Sequence, residues 1–243
     1  MVNIFASPHE MAENMALNMI NQIERAGKSK IPLNIALSGG NTPRLLFSVL
    51  AEKYSGPVDW RYVNFFWVDE RCVPPDDQES NYGAAYKILL SNINIPDSCI
   101  HRIKGEEDPE TEALRYSEEI KNNVPAFRNL PAFDLIILGM GDDGHTASIF
   151  PGSNDLFESD KICETTVHPE SGQERITITG RVINNAGIVT FMVTGKKKSG
   201  IINKILGEDP AAKKYPAAYV TPVHGKLNWM VDADAASLYK NKG

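Results

Sequence analysis

What this 243-residue chain lacks narrows what it can be. Cysteine is limited to Cys72, Cys99 and Cys163, odd in number, widely spaced and without a C-x-x-C pair. That excludes a disulfide framework and a thiolate zinc site, and it fits a reducing, cytoplasmic setting. Long apolar runs are missing: nothing approaches the roughly 20 residues that a membrane helix needs. The N-terminus, MVNIFASPHEMAENM, has no basic stretch leading into an apolar one, so no secretory signal is expected. Basic residues are outnumbered, 25 Lys and Arg against 31 Asp and Glu, for a net charge of −6. Nucleic-acid backbones are bound by an excess of Lys and Arg, so that partner is not expected. A small anion remains compatible, because a local cationic pocket can form on an acidic surface. Neither G-x-G-x-x-G nor a Walker loop occurs, so a dinucleotide or ATP cofactor has no support.

What is present reads as one α/β domain over residues 1–243. The apolar fraction of 42% and charged fraction of 23% are ordinary for a globular protein, and the length allows a full core. Ser7-Pro8, an N-cap followed by proline at the first helical position, opens a helix over 8–26, with Met11, Met15, Leu17, Ile20 and Ile23 as its apolar side. Buried strands are predicted at 33–37, 63–68, 135–138 and 187–193. Helices are predicted from Thr42 to about Tyr54, from Ser80-Asn81 to about Leu90, over roughly 110–122, and from the lysines at 196–198 to Leu206. Residues 175–179 alternate like a half-exposed strand and, with 161–167, suggest a small β subregion around 155–180. Toward the end, Tyr219-Val220 and 227–231 read as strands, and a last helix begins at Asp232. Strands alternating with helices indicate a mostly parallel sheet covered on both faces.

Four of the predicted strands end in residues that suit chemistry: Ser38-Gly39-Gly40, Asp69-Glu70-Arg71, the stretch from Gly139 to His145, and Gly195 to Lys198. In a parallel sheet these ends share one edge, where α/β proteins bind their ligands. Ser38, Gly39 and Gly40 precede a helix N-terminus, where free N–H groups favour anions; a lone glycine pair is more often only a tight turn. Arg71 offers a bidentate fork and Lys198 a point charge for a phosphate. Three lysines at a helix N-terminus oppose its dipole, so a nearby anion is expected for one of them. His145 follows Asp142-Asp143-Gly144, with glycines clearing space and two carboxylates close enough in sequence to orient its ring. A histidine with a carboxylate partner suits general-base catalysis. His9, His101, His168 and His224 read as structural or merely exposed. Ser148 has no G-x-S-x-G elbow, which speaks against a serine nucleophile.

These motifs, in this order, resemble the 6-phosphogluconolactonases nearly end to end: LSGGNTP at 37–43, VDERCVPPDDQESNYG at 68–83 and GMGDDGHTASIFPG at 139–152, then RITIT at 175–179, VTGKKKSG at 193–200 and the late YPAAYV and LNWMVD segments. The resemblance implies a Rossmann-like three-layer α/β sandwich. It also implies hydrolysis of 6-phospho-D-glucono-1,5-lactone in the oxidative pentose phosphate pathway, without metal or organic cofactor. By the same resemblance His145 is the general base, and Arg71 and Lys198 hold the phosphate. Asp143 and Asp69 fall in family motifs on the catalytic side; Arg175 falls on the substrate side. Sugar-phosphate deaminases of related fold read G-x-D-G-H-I-A-F-N-E-P after the third strand, whereas residues 143–151 here lack the acid before proline. A noncatalytic sugar-phosphate sensor would need a DNA-binding module, and no basic helix-turn-helix is evident.

Overall fold

The computed structural model describes residues 1–56 and 58–239. Its first half runs β1 (Val2–Phe5), α1 (Pro8–Ser29), β2 (Leu33–Leu37), α2 (Asn41–Tyr54), β3 (Val63–Trp67), β4 (Asp69–Arg71), α3 (Asn81–Ile88), β5 (Ile100–His101) and α4 (Pro109–Asn123). A two-strand hairpin follows, β6 (Ala126–Phe127) and β7 (Leu130–Pro131), then β8 (Leu135–Leu138), β9 (Cys163–Val167) and β10 (Glu174–Ile178). The chain closes with α5 (Gly180–Ile183), β11 (Ile188–Val193), α6 (Ser199–Leu206) and β12 (Lys226–Asp232).

Seven strands form one wholly parallel sheet in the order β1-β12-β11-β8-β2-β3-β5. Its central strands are largely apolar because both faces are covered: all of β8 is buried, as are the last four residues of β2. From β2 the chain proceeds through β3 to β5 on one side; from β8 it proceeds through β11 to β12 on the other. The directions diverge between β2 and β8, which is where an open α/β sheet leaves a crevice at its carboxyl edge. Helices flank the sheet, α1 packing on α2 and against β12.

The second sheet is small and antiparallel, in the order β4-β10-β9, with α4 packed on β9 and β10. It branches from the first at Val68. The Val68 N–H donates to Leu37 O at 3.0 Å in the large sheet, and its carbonyl accepts from Ile178 N at 2.8 Å in the small one. Tyr116 of α4 secures the branch, its hydroxyl accepting from Trp67 N at 2.8 Å and donating to Trp67 O at 2.9 Å.

Several expectations need correction. In α1 Leu17 is 48% exposed, and Met19 takes the buried position. At about 100° per residue Leu17 lies about 200° from Met15, on the opposite side. Strand β10 is not half-exposed; from Arg175 onward it is buried, because it is the middle strand of its sheet. Tyr219-Val220 is no strand: Pro216–Tyr219 is a 3₁₀ turn. No helix starts at Asp232, the last residue of β12. Its carboxylate accepts from Ala235 N at 2.8 Å, as an N-cap would, but also from Gly195 N at 3.0 Å, and only turns follow to Tyr239. The remainder of that expected helix lies outside the described residues. Among the described residues no helix is long and apolar enough to cross a membrane.

Candidate active site

The ends of β2, β8 and β11 meet β4 and β10 around a cavity of about 340 Å³. Its walls include residues 38–43, Asp69, Arg71, Asn81, residues 139–142, His145, Ala147, Arg175, residues 192–194 and Lys198. The four strand ends singled out in the sequence thus converge on one space, as a parallel sheet requires. Thr42 and Thr194 close its floor, their hydroxyls 2.9 Å apart. Ser38 lines the cavity with its hydroxyl proton committed to Ile137 O at 2.9 Å, so it ties β2 to β8 and offers a ligand only its lone pairs.

His145 is held by its own loop. Asp143 Oδ1 accepts from the His145 backbone N–H at 3.0 Å and stands 2.6 Å from the ring Nδ1. Because a carboxylate only accepts, Nδ1 carries the proton and Nε2 presents a lone pair. Partial burial pushes the Asp143 carboxyl up, but the bonds from the His145 ring and backbone outweigh it and hold the carboxyl down at about 2. Of the two candidate aspartates, it is Asp143 that reaches the ring; Asp142 Oδ1 pairs instead with Lys198 Nζ at 2.6 Å. The loop turns at Gly144, where φ is +85° and a Cβ would strike the Tyr215 ring. Beyond it Ala147, a non-glycine residue at φ +49°, lines the cavity.

The cations divide into two settings. Lys198 is partly buried, and its Nζ also donates to Met140 O at 2.7 Å, while Lys196 and Lys197 are exposed. One of the three lysines therefore enters the site, already paired with an anion. Arg71 and Arg175 stand directly opposite each other in the β4–β10 register. Arg71 donates from Nη1 to Glu79 O. Arg175 is nine-tenths buried; its side chain makes no hydrogen bond or ion pair among the described residues and has an orphaned Nε, though the charges of Asp69, Glu79 and Glu70 act on it. Burial, and then the charge of Arg71, push its pKa down. Like charges opposed across strands destabilise each other, and a buried cation without a partner is costlier still. Both costs are offset when an anion enters between them.

Asn81 lines the cavity without having been expected there, and Ser148, set aside as a nucleophile, has another part to play. Asn81, the first residue of α3, donates from Nδ2 to Asp69 O at 3.0 Å, and a Cβ on Gly39 would run into its amide. Ser148 is fully buried and donates to Asp69 Oδ2 at 2.6 Å, so it is a fixed partner of Asp69 and no nucleophile. A side-chain amide and a lone serine carry no spacing signal that marks them; only the register of β4 against the histidine loop does. The late 3₁₀ segment also joins the site, Ala217 N donating to Gly144 O at 3.0 Å.

A family model described as glucosamine-6-phosphate isomerases/6-phosphogluconolactonase matches residues 6–229. The 6-phosphogluconolactonase of Haemophilus influenzae is 43% identical over 208 residues, covering 85% of this chain and 88% of its own. That of Treponema pallidum is 39% identical over 213 residues, 88% of either chain. The solved 6-phosphogluconolactonase of Trypanosoma brucei, 29% identical, superposes with a TM-score of 0.86 over 97% of each chain. The match begins just after β1, ends within β12 and takes in every loop that lines the cavity, so the chain belongs to the glucosamine-6-phosphate isomerase/6-phosphogluconolactonase family.

Proposed function

We propose that this protein hydrolyses 6-phospho-D-glucono-1,5-lactone to 6-phospho-D-gluconate, with His145 as general base. One observation carries the reading: a histidine oriented by a carboxylate at 2.6 Å shares a cavity with two arginines, one of them without a side-chain hydrogen bond or ion pair among the described residues. The first suits proton abstraction from water, and the second suits a phosphodianion.

A lactone carbonyl is electrophilic enough for water to attack once a base takes the water's proton. His145 Nε2 accepts that proton as the new C1–O bond forms, and Asp143 stabilises the imidazolium. The tetrahedral oxyanion is met by backbone N–H groups of the glycine loops at 38–40 or 139–144. When the C1–O5 bond breaks, the imidazolium returns its proton to the departing ring oxygen, and the free acid ionises. Arg71, Arg175 and Lys198 hold the remote phosphate so that C1 faces the water. Asp69, kept in place by Ser148 and Asn81, belongs to the wall beside the sugar ring. Water is the only co-reactant, and a phosphosugar lactone is the ligand class.

The test is lactone hydrolysis followed against its spontaneous background in wild type and His145→Ala. A general base contributes about 10²–10⁴ in rate, so the variant loses most of kcat while still binding 6-phosphogluconate. Wild-type kcat in His145→Ala would remove the base assignment. Ammonia release from glucosamine 6-phosphate would move the protein to the deaminase branch, and ligand binding without turnover would make it a sensor.

A further inference from the structure

Glu70 takes no part in the chemistry above, yet it is 2% exposed and lies between Asp69 and Arg71. Side chains alternate along a strand, so with those two lining the cavity Glu70 points the other way, to the start of α3. Four donors converge on its carboxylate. Oε1 accepts from Arg71 N at 2.8 Å and from Asn81 N at 2.7 Å. Oε2 accepts from Tyr82 N at 2.8 Å and from the Ser80 hydroxyl at 3.1 Å. Ser80 is already the N-cap of α3, its Oγ accepting from Gly83 N at 2.9 Å. A helix needs no more than such a cap, with water for the other N–H groups. The bond to Arg71 N serves no helix at all.

We infer that Glu70 is a positioning residue for the anion-holding wall, tying β4 to α3 so that Arg71, Asp69 and Asn81 keep a fixed spacing around the ligand. The inference rests on Arg71 holding the substrate phosphate. Burial pushes the Glu70 carboxyl up against the pull of its three backbone bonds. A buried acid is an expensive way to start a helix, and a justified one where two functional side chains hang from the segments it joins. Arg71 leaves β4 on one side of this joint, and Asn81 opens α3 on the other. Glu79, whose carbonyl receives the Arg71 guanidinium, lies in the loop that the joint closes.

Glu70→Gln is the direct test. One carboxylate oxygen becomes an NH₂ group facing two donors, so half of the joint is lost at nearly constant volume. Two substrates are compared, 6-phosphogluconolactone and the unphosphorylated glucono-1,5-lactone, with the affinity for inorganic phosphate measured separately. The expected result is a roughly tenfold fall in the ratio of kcat/KM for the phosphorylated over the unphosphorylated lactone, with phosphate affinity falling in parallel. A purely structural carboxylate would lower both substrates together and leave that ratio unchanged, which overturns the inference. Ser80→Ala, which removes one of the four bonds, gives a smaller fall of the same kind and serves if the glutamine variant does not fold. An unchanged ratio in both variants beside an active wild type removes only the role of Glu70; an inactive wild type removes the proposed function itself.

Discussion

Arg175→Met makes the protein more stable and a poorer enzyme, and both effects can be sized from its surroundings. Arg175 is 9% exposed, its side chain has no hydrogen-bond or ion-pair partner among the described residues, its Nε is buried and unsatisfied, and it faces Arg71 across the β4–β10 pair. An unsatisfied buried polar group costs about 1–3 kcal/mol, more when charged, and opposed like charges add to that. Methionine keeps much of the chain length and buries apolar surface in place of the cation. A gain of about 2 kcal/mol is expected, which for a domain of this size raises the unfolding midpoint by about 4–8 °C. Substrate binding moves the other way. Two charge-assisted bonds to phosphate are worth about 1.5–3 kcal/mol each. With relief of the Arg71 repulsion deducted, about 3 kcal/mol remains, or roughly a hundredfold in kcat/KM. Calorimetry with and without inorganic phosphate reads the first effect, since wild type gains stability from the anion and the variant gains little. Steady-state kinetics reads the second. A variant that melts at or below the wild-type midpoint with substrate affinity intact would show Arg175 to be a structural cation and refute the reasoning.

Two further outcomes follow from the histidine loop and the glycine turn. Asp143→Asn removes the anion that stabilises the imidazolium, lowering kcat by about 10- to 100-fold. Because folding depresses the Asp143 carboxyl to about 2, its stabilisation is present above the unfolded value near pH 4 and is lost as pH falls through 2. At 44% exposure, screening limits that stabilisation to about 1 kcal/mol, so acid unfolding followed by circular dichroism is slightly shallower between pH 4 and 2 in the variant. Coincident acid curves would contradict the linkage. Gly39→Ala drives a methyl group into the Asn81 amide, costing about 1–3 kcal/mol in urea melts and raising KM. A variant with wild-type melts and KM would show that the turn has room.

The large sheet was legible because its strands advertise themselves. Runs such as 135–138 are apolar throughout, and each ends in glycine or charge, so the carboxyl edge and the placement of Arg71, His145 and Lys198 around it followed from periodicity alone. The small sheet was less legible. Two of its strands were expected near their observed bounds, but β4 is three residues long, and its pairing with β10 depends on a branch at Val68 that has no composition signal. That pairing is what sets Arg71 opposite Arg175. Edge strand β1 was missed because it is only four residues long and none of them is fully buried, its place beside β12 being a long-range contact. Asp232 misled because an aspartate before an alanine-rich stretch caps a turn as readily as a helix, and here its carboxylate also serves Gly195. Asn81, Ser148 and Glu70 act through partners far from obvious in the linear order.

The branch at Val68 has a consequence for how such a site can change. The proposed base, His145, follows β8 of the large sheet, whereas Arg71 and Arg175, proposed as ligands of the anion, sit on β4 and β10 of the small one. The small sheet joins the large one at Val68, beside its carboxyl edge. A change in the β9–β10 hairpin acts directly on the surroundings of Arg175 and is passed to the histidine loop through Thr177, whose hydroxyl accepts from Ser148 N at 3.3 Å, so anion recognition and the position of the base are coupled rather than independent.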